Sequence, residues 1–140
     1  MDENLTVFAK SSPVQATAKL TIKDFVEVMP TSEPGEKYNS DTFMVGDTPM
    51  AISVFPNGDK KDTGGNVGVF LCNESDADVT AKCQFITDAA KNLGQLDHEV
   101  KANSTWGFPK FFSRDKCTNF YKLKDFVVTA QEELCLQEPL

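Results

Sequence analysis

Met50-Ala51-Ile52-Ser53-Val54-Phe55 runs into Pro56-Asn57-Gly58, and its large apolar residues Met50, Ile52 and Val54 fall on every second position. A period of two belongs to a strand with one buried face. The stop that follows has a mechanism: Pro56 fixes φ and removes a donor, while Asn57-Gly58 tolerates the positive φ of a tight turn. The same pattern recurs on both sides of this stretch. Upstream, Ala16, Ala18, Leu20 and Ile22 alternate with Thr17, Lys19, Thr21 and Lys23, and Ser40 to Val45 reads as a short strand closed by Gly46-Asp47. Downstream, Asn66 to Leu71 sets Val67, Val69 and Leu71 on one face and Gly68 and Phe70 on the other, so Phe70 is expected towards solvent. Val79 to Ile86 alternates through Val79, Ala81, Cys83 and Phe85, Asp97 to Lys101 is short enough for a brief strand, and Phe126 to Ala130 is β-branched.

Between these runs lie turn signals. Met29 to Glu36 holds two prolines and a glycine and reads as a loop, Lys60 to Gly65 is a polar loop, and Asp88 to Gly94 is a turn region. No long amphipathic helix, internal repeat or heptad run is present. Seven or eight short strands separated by turns predict an all-β protein, an antiparallel β-sandwich. The organisation expected is a lead-in over 1–14, one domain over 15–133 and a tail over 134–140.

The aromatic residues are least evenly spread in Thr105-Trp106-Gly107-Phe108-Pro109-Lys110-Phe111-Phe112, which contains the single tryptophan and four rings within seven residues. Pro109 argues against the middle of a central strand, and a helical turn is expected over Lys110 to Asp115. Two readings compete: a loop whose rings plug one end of the core, or an aromatic wall of a binding groove, where Trp and Phe are favoured anchors.

Charge and chemistry narrow the function. A net charge of -7 and a pI near 4.6 oppose general nucleic-acid affinity and attraction to anionic membranes. The one histidine, His98, would have to serve any Ser-His or Cys-His couple, and nothing in its surroundings suggests it. Cys72, Cys83, Cys117 and Cys135 lack the spacing of a zinc site, and Gly64-Gly65 lacks the lysine of a phosphate loop. No catalytic residue, cofactor or metal is expected. The amino-terminal residues carry no basic and apolar leader pattern, so an intracellular protein with reduced thiols is expected, and the sequons at Asn4, Asn73 and Asn103 carry no weight.

Taken together, the motifs resemble a MATH (meprin and TRAF homology, TRAF-like) domain over roughly Ala16 to Glu132. Leu20 to Phe25 is similar to the family's opening strand, and Ser40 to Phe43 with Gly46 to its S-x-x-F step. Ile52 to Gly58 is similar to the L-x-V-x-P-x-G strand and turn, and Val67 to Leu71 to the L-S-L-Y-L strand. Val79 to Phe85 resembles V-x-A-x-F-x-F, and Trp106 to Phe111 resembles the D-W-G-F-x-x-F signature. The pattern is nearest to the MATH domains of BTB-type ubiquitin-ligase adaptors. The resemblance implies an eight-stranded sandwich without catalytic activity, binding short linear peptides of other proteins in a shallow groove. Carried over, Thr105, Trp106, Gly107 and Phe108 line that groove, Phe70 stands where a tyrosine is usual, and Cys83 and His98 stand where aromatic rings are usual. BTB or ubiquitin-pathway components would be reached through a parent chain. The isolated domain is expected to be monomeric and to bind neither nucleic acid nor membrane. Leu20 and Met50 replace tryptophans, which is compatible with the same core at lower bulk, whereas Thr105 without a carboxylate, Phe70 without a phenol and Cys83 without a ring imply a divergent and more apolar specificity. The alternative is a structural, self-associating sandwich.

Overall fold

The computed structural model describes residues 13–87, 93–113 and 126–135. Nine strands occur in it: β1 Pro13–Ile22, β2 Tyr38–Asn39, β3 Phe43–Val45, β4 Thr48–Phe55, β5 Asn66–Asn73, β6 Val79–Thr87, β7 Leu93–Val100, β8 Thr105–Ser113 and β9 Phe126–Cys135. They form two antiparallel sheets. The first has the order β1-β9-β6-β7, and the second has β2-β4-β5-β8, with β3 also paired to β4. The predicted sandwich is present, two of its nine strands being very short.

The inner faces supply the core. Val67, Val69 and Leu71 of β5 meet Met50, Ile52 and Val54 of β4, and all six are fully buried. From the other sheet, Ala81, Cys83, Phe85, Phe126, Val128 and Ala130 face them. Each large side chain so buried contributes about 1.5–3 kcal/mol relative to exposure. Phe85 is the hub of an aromatic triad, edge-on to Phe108 at 6.2 Å and to Phe111 at 6.4 Å.

Several elements differ from the sequence reading. A short helix, α1 Phe25–Thr31, follows β1 where a loop was expected to begin. Seven residues with Pro30 inside them are too few for periodicity to show, and such a helix holds only by tertiary packing. Here that packing is Phe25, wholly buried with its ring 4.9 Å from that of Phe126. Asp24, at φ 55°, makes the sharp turn from strand to helix. β7 begins at Leu93 rather than Asp97, and β1 and β9 pair from Pro13↔Cys135 to Ile22↔Phe126, slightly beyond the expected domain limits at both ends. The helical turn expected from Lys110 is instead strand as far as Ser113, because Phe112 and Ser113 pair with Val67 and Asn66 after an irregularity at Gly68. Asp88 to Lys91, within the expected turn, lies outside the described residues, as do Asp115 and Cys117.

Candidate functional site

The aromatic segment is not a loop: it is β8, an edge strand, and two of its rings, Phe108 and Phe111, pack on the core while Trp106 stays exposed. Among the described residues β8 ends its sheet and pairs with β5 alone. The backbone alternation along it can be fixed from one bond. Asn73 N–H donates to Ser104 C=O at 2.9 Å, and the register continues as Cys72↔Thr105, Leu71↔Trp106, Phe70↔Gly107 and Val69↔Phe108. In an antiparallel ladder every second residue turns both its N–H and its C=O to the same neighbour. Ser104 gives β5 its C=O alone, its N–H donating to Lys101 C=O at 3.2 Å, and Trp106 and Phe108 turn both groups to β5, while Thr105 and Gly107 turn theirs to the open edge. The next residue in that series, Pro109, has no N–H.

Side chains alternate the other way. Thr105 and Gly107 share the outer face with Cys72 and Phe70, and Trp106 and Phe108 share the inner face with Leu71 and Val69. The expected site residues are thus divided between two faces that meet at one edge. Trp106, although on the inner face, overhangs the side of the sandwich and stays 44% exposed. Its indole stacks on the His98 imidazole of β7, with centroids 4.0 Å apart and planes 14° from parallel. This stack bridges the two sheets at their open side. His98 Nδ1 lies 2.6 Å from the Glu99 carbonyl oxygen. A carbonyl only accepts, so Nδ1 carries the hydrogen in the neutral ring.

Phe70 occupies the outer face as expected, but only 9% of it is exposed. The ring lies low because its neighbours are glycines: a Cβ built on Gly107 would stand 3.1 Å from Phe70 Cδ2, and one on Gly68 would stand 3.1 Å from Phe70 Cε1. Phe55 closes over it edge-on at 5.3 Å. Gly107 itself has no room for any side chain, since a Cβ would come within 2.3 Å of the Val69 carbonyl oxygen. Phe108 is half-buried against Phe85 and Phe111. Cys83, 1% exposed, lies inside the core and offers no surface to a partner.

Beside Phe70 the outer face is polar, and sequence reading missed it. Lys37, Asn39, Ser53, Cys72, Glu74 and Thr105 line an open hollow of about 340 Å³. Ser53 Oγ donates to Asn39 Oδ1 at 2.5 Å and lies 3.1 Å from Cys72 Sγ. The available signal was parity: Ala51 and Ser53 are the small and polar members of the β4 alternation.

Asn73, considered only as a sequon, holds the approach to β8. Its amide nitrogen donates to the carbonyls of Ala77, Val100 and Lys101, and its Oδ1 accepts from Ser75 N–H and Oγ–H. At 2% exposed, it ties the β5–β6 turn to the turn that launches the edge strand. Asp78 finishes that turn. Ala102 N–H at 2.8 Å holds its carboxyl below the usual carboxylate range, burial works weakly the other way, and Lys101 adds to the lowering. Lys101 is raised, chiefly by Glu99 at 3.1 Å and then by Asp78 at 3.5 Å.

Among the described residues no cluster of His, Cys, Asp and Glu is placed to hold a metal ion, and no helix is long and apolar enough to cross a membrane. What the site offers is a strand edge, one open ring and a polar hollow, the means of holding an extended chain. A family model for the MATH domain matches residues 17–131. The chain belongs to the MATH domain family. Domains of this family are protein-interaction modules rather than enzymes. Among solved structures, TRAF5 of Notothenia coriiceps superposes with a TM-score of 0.57 at 18% identity, covering 89% of this chain and 76% of that one. That likeness is one of fold. No curated protein shows significant similarity to the chain.

Proposed function

We propose that this MATH domain takes up an extended segment of a partner protein along the open edge of β8. The observation that supports the reading is the coincidence, on one unpaired edge, of outward backbone groups at Thr105 and Gly107 with the exposed ring of Trp106. An added strand gains affinity from main-chain bonds and specificity from its alternate side chains. Those on one side would lie over Thr105 and Gly107, near the polar hollow, and those on the other over Trp106 and His98. Thr105, Trp106, Gly107 and His98 carry the contact; Phe70 and Phe108 support it from below. The role that fits such a module is recruitment of partners for an intracellular assembly such as a ubiquitin-ligase adaptor.

The test is a peptide-array screen followed by an N-methyl scan of the best binder. Strand addition predicts that N-methylation abolishes capture at every second position and is tolerated between, and that Trp106→Ala, checked for folding by circular dichroism, loses capture. Uniform tolerance of N-methylation would overturn strand addition. A second reading is favoured by the same open edge, namely pairing of β8 with β8 of a second copy. It predicts a mass that rises with concentration in sedimentation equilibrium and an array that captures nothing.

A further inference from the structure

The chain contains a single histidine and a single tryptophan, and the fold stacks one on the other at the edge just described. We propose that His98 is a charge-selecting residue of the β8 edge: protonated, it favours a peptide side chain bearing a carboxylate over the Trp106–His98 stack, and neutral, it does not. The inference rests on the strand-addition reading and adds to it the chemistry of one peptide position and its dependence on pH.

Three observations carry it. First, Nδ1–H is committed to the Glu99 carbonyl, so a second proton must enter at Nε2, which has no hydrogen-bond partner among the described residues. Protonation therefore adds a charge and a donor without breaking the bond that orients the ring. Second, the stack survives the change, because an imidazolium over an indole face is a cation–π pair. Third, His98 is exposed and its ring partner is 44% exposed, so a bound side chain can reach both.

Charges on the neighbouring elements do not mask the effect. On β6 the residue across from His98 is Ala81, while Lys82 and Thr80, with Glu99 across from Thr80, lie on the other face of the sheet. On β8 no titratable side chain lies between Thr105 and Pro109; Lys110 comes next. The Glu99 carboxylate is taken by Lys101 Nζ, which also reaches Asp78 in the adjoining turn.

The experiment has two arms on the whole chain. In the first, the emission of the lone tryptophan is followed from pH 8 to pH 5 in the wild type and in His98→Phe, which keeps a ring in the stack but cannot take a proton. A one-proton quenching step in the wild type, absent from the variant, is expected; identical curves would overturn the coupling. In the second, arrays of ten-residue peptides are probed at pH 7.5 and 5.5. Peptides with Asp or Glu at a captured position are expected to gain about fivefold on acidification, the order expected for one exposed charge pair near 4 Å. Lys or Arg at the same position should lose a similar factor, and both ratios should return to one in His98→Phe. Capture that requires Trp106 but shows no charge bias at either pH overturns the proposal and leaves strand addition standing. An array that captures nothing at either pH overturns both.

Discussion

Phe70 and Trp106 sit one register step apart on neighbouring strands, yet one ring is closed into the protein and the other is left in water. Their residue types do not explain the contrast, since both are large and apolar. What separates them is the backbone beside each. Phe70 has glycines at 68 and 107, and its ring lies down over them under Phe55. Trp106 sits on an edge with no strand beyond it among the described residues, and the imidazole of His98 stacks on one face of its ring. The first ring is floor, and the second is available for contact.

The largest expected effect comes from removing the glycine that creates the floor. Gly107→Val puts its Cβ against the Val69 carbonyl oxygen and the Phe70 Cα, at 2.3 Å and 2.6 Å if nothing moves. A backbone clash of that kind has to move β8 away from β5, and a loss of more than about 3 kcal/mol in a urea titration is expected. A variant of wild-type stability would show that β8 and β5 are not held at this spacing.

The two rings themselves form the next comparison. Phe70→Ala should cost about 3 kcal/mol by the same titration, the range for emptying a buried phenylalanine site. Trp106→Ala should cost about 1 kcal/mol or less while removing peptide capture. If the two losses were equal, the distinction between floor and contact surface would be wrong.

This contrast also marks what the sequence could and could not disclose. Alternation at Met50 to Phe55 and at Val67 to Leu71 was legible because the inner face of a sandwich enforces period two. The rise of Phe70 to the outer face was legible for the same reason. Its burial was not, because that depends on Gly107, a residue far along the chain brought alongside only by sheet register. Trp106 presented the opposite difficulty: parity places it inward, and only the order of strands shows that β8 lies at the edge. α1 was invisible because one buried phenylalanine, not periodicity, holds it. Asn73 was hidden by its resemblance to a modification signal, although its three carbonyl partners come from two separate turns.

The smallest effect concerns the turn that delivers β8 to the edge. Because Ala102 N–H lowers the Asp78 carboxyl below its ordinary value, this group stabilises the fold above the ordinary carboxylate range, and the contribution is lost as pH falls through the lowered value. Asp78→Asn should therefore lower the unfolding midpoint slightly at neutral pH and leave it little changed near pH 3, which flattens the acid limb of a plot of midpoint against pH between 7 and 3. An unchanged acid limb would mean that Asp78 is equally solvated in the folded and unfolded chain. The group is exposed and screened by solvent, which is why this difference ranks last.

Pro109 has one more consequence. Pro109 breaks the row of donors towards the open edge after Gly107, so a segment added to β8 would lose a main-chain bond there. The same missing hydrogen keeps a long run of identical strands from growing outward from this edge, the route by which open sheets seed fibrils. One imino acid thus limits how far this edge can serve as a template.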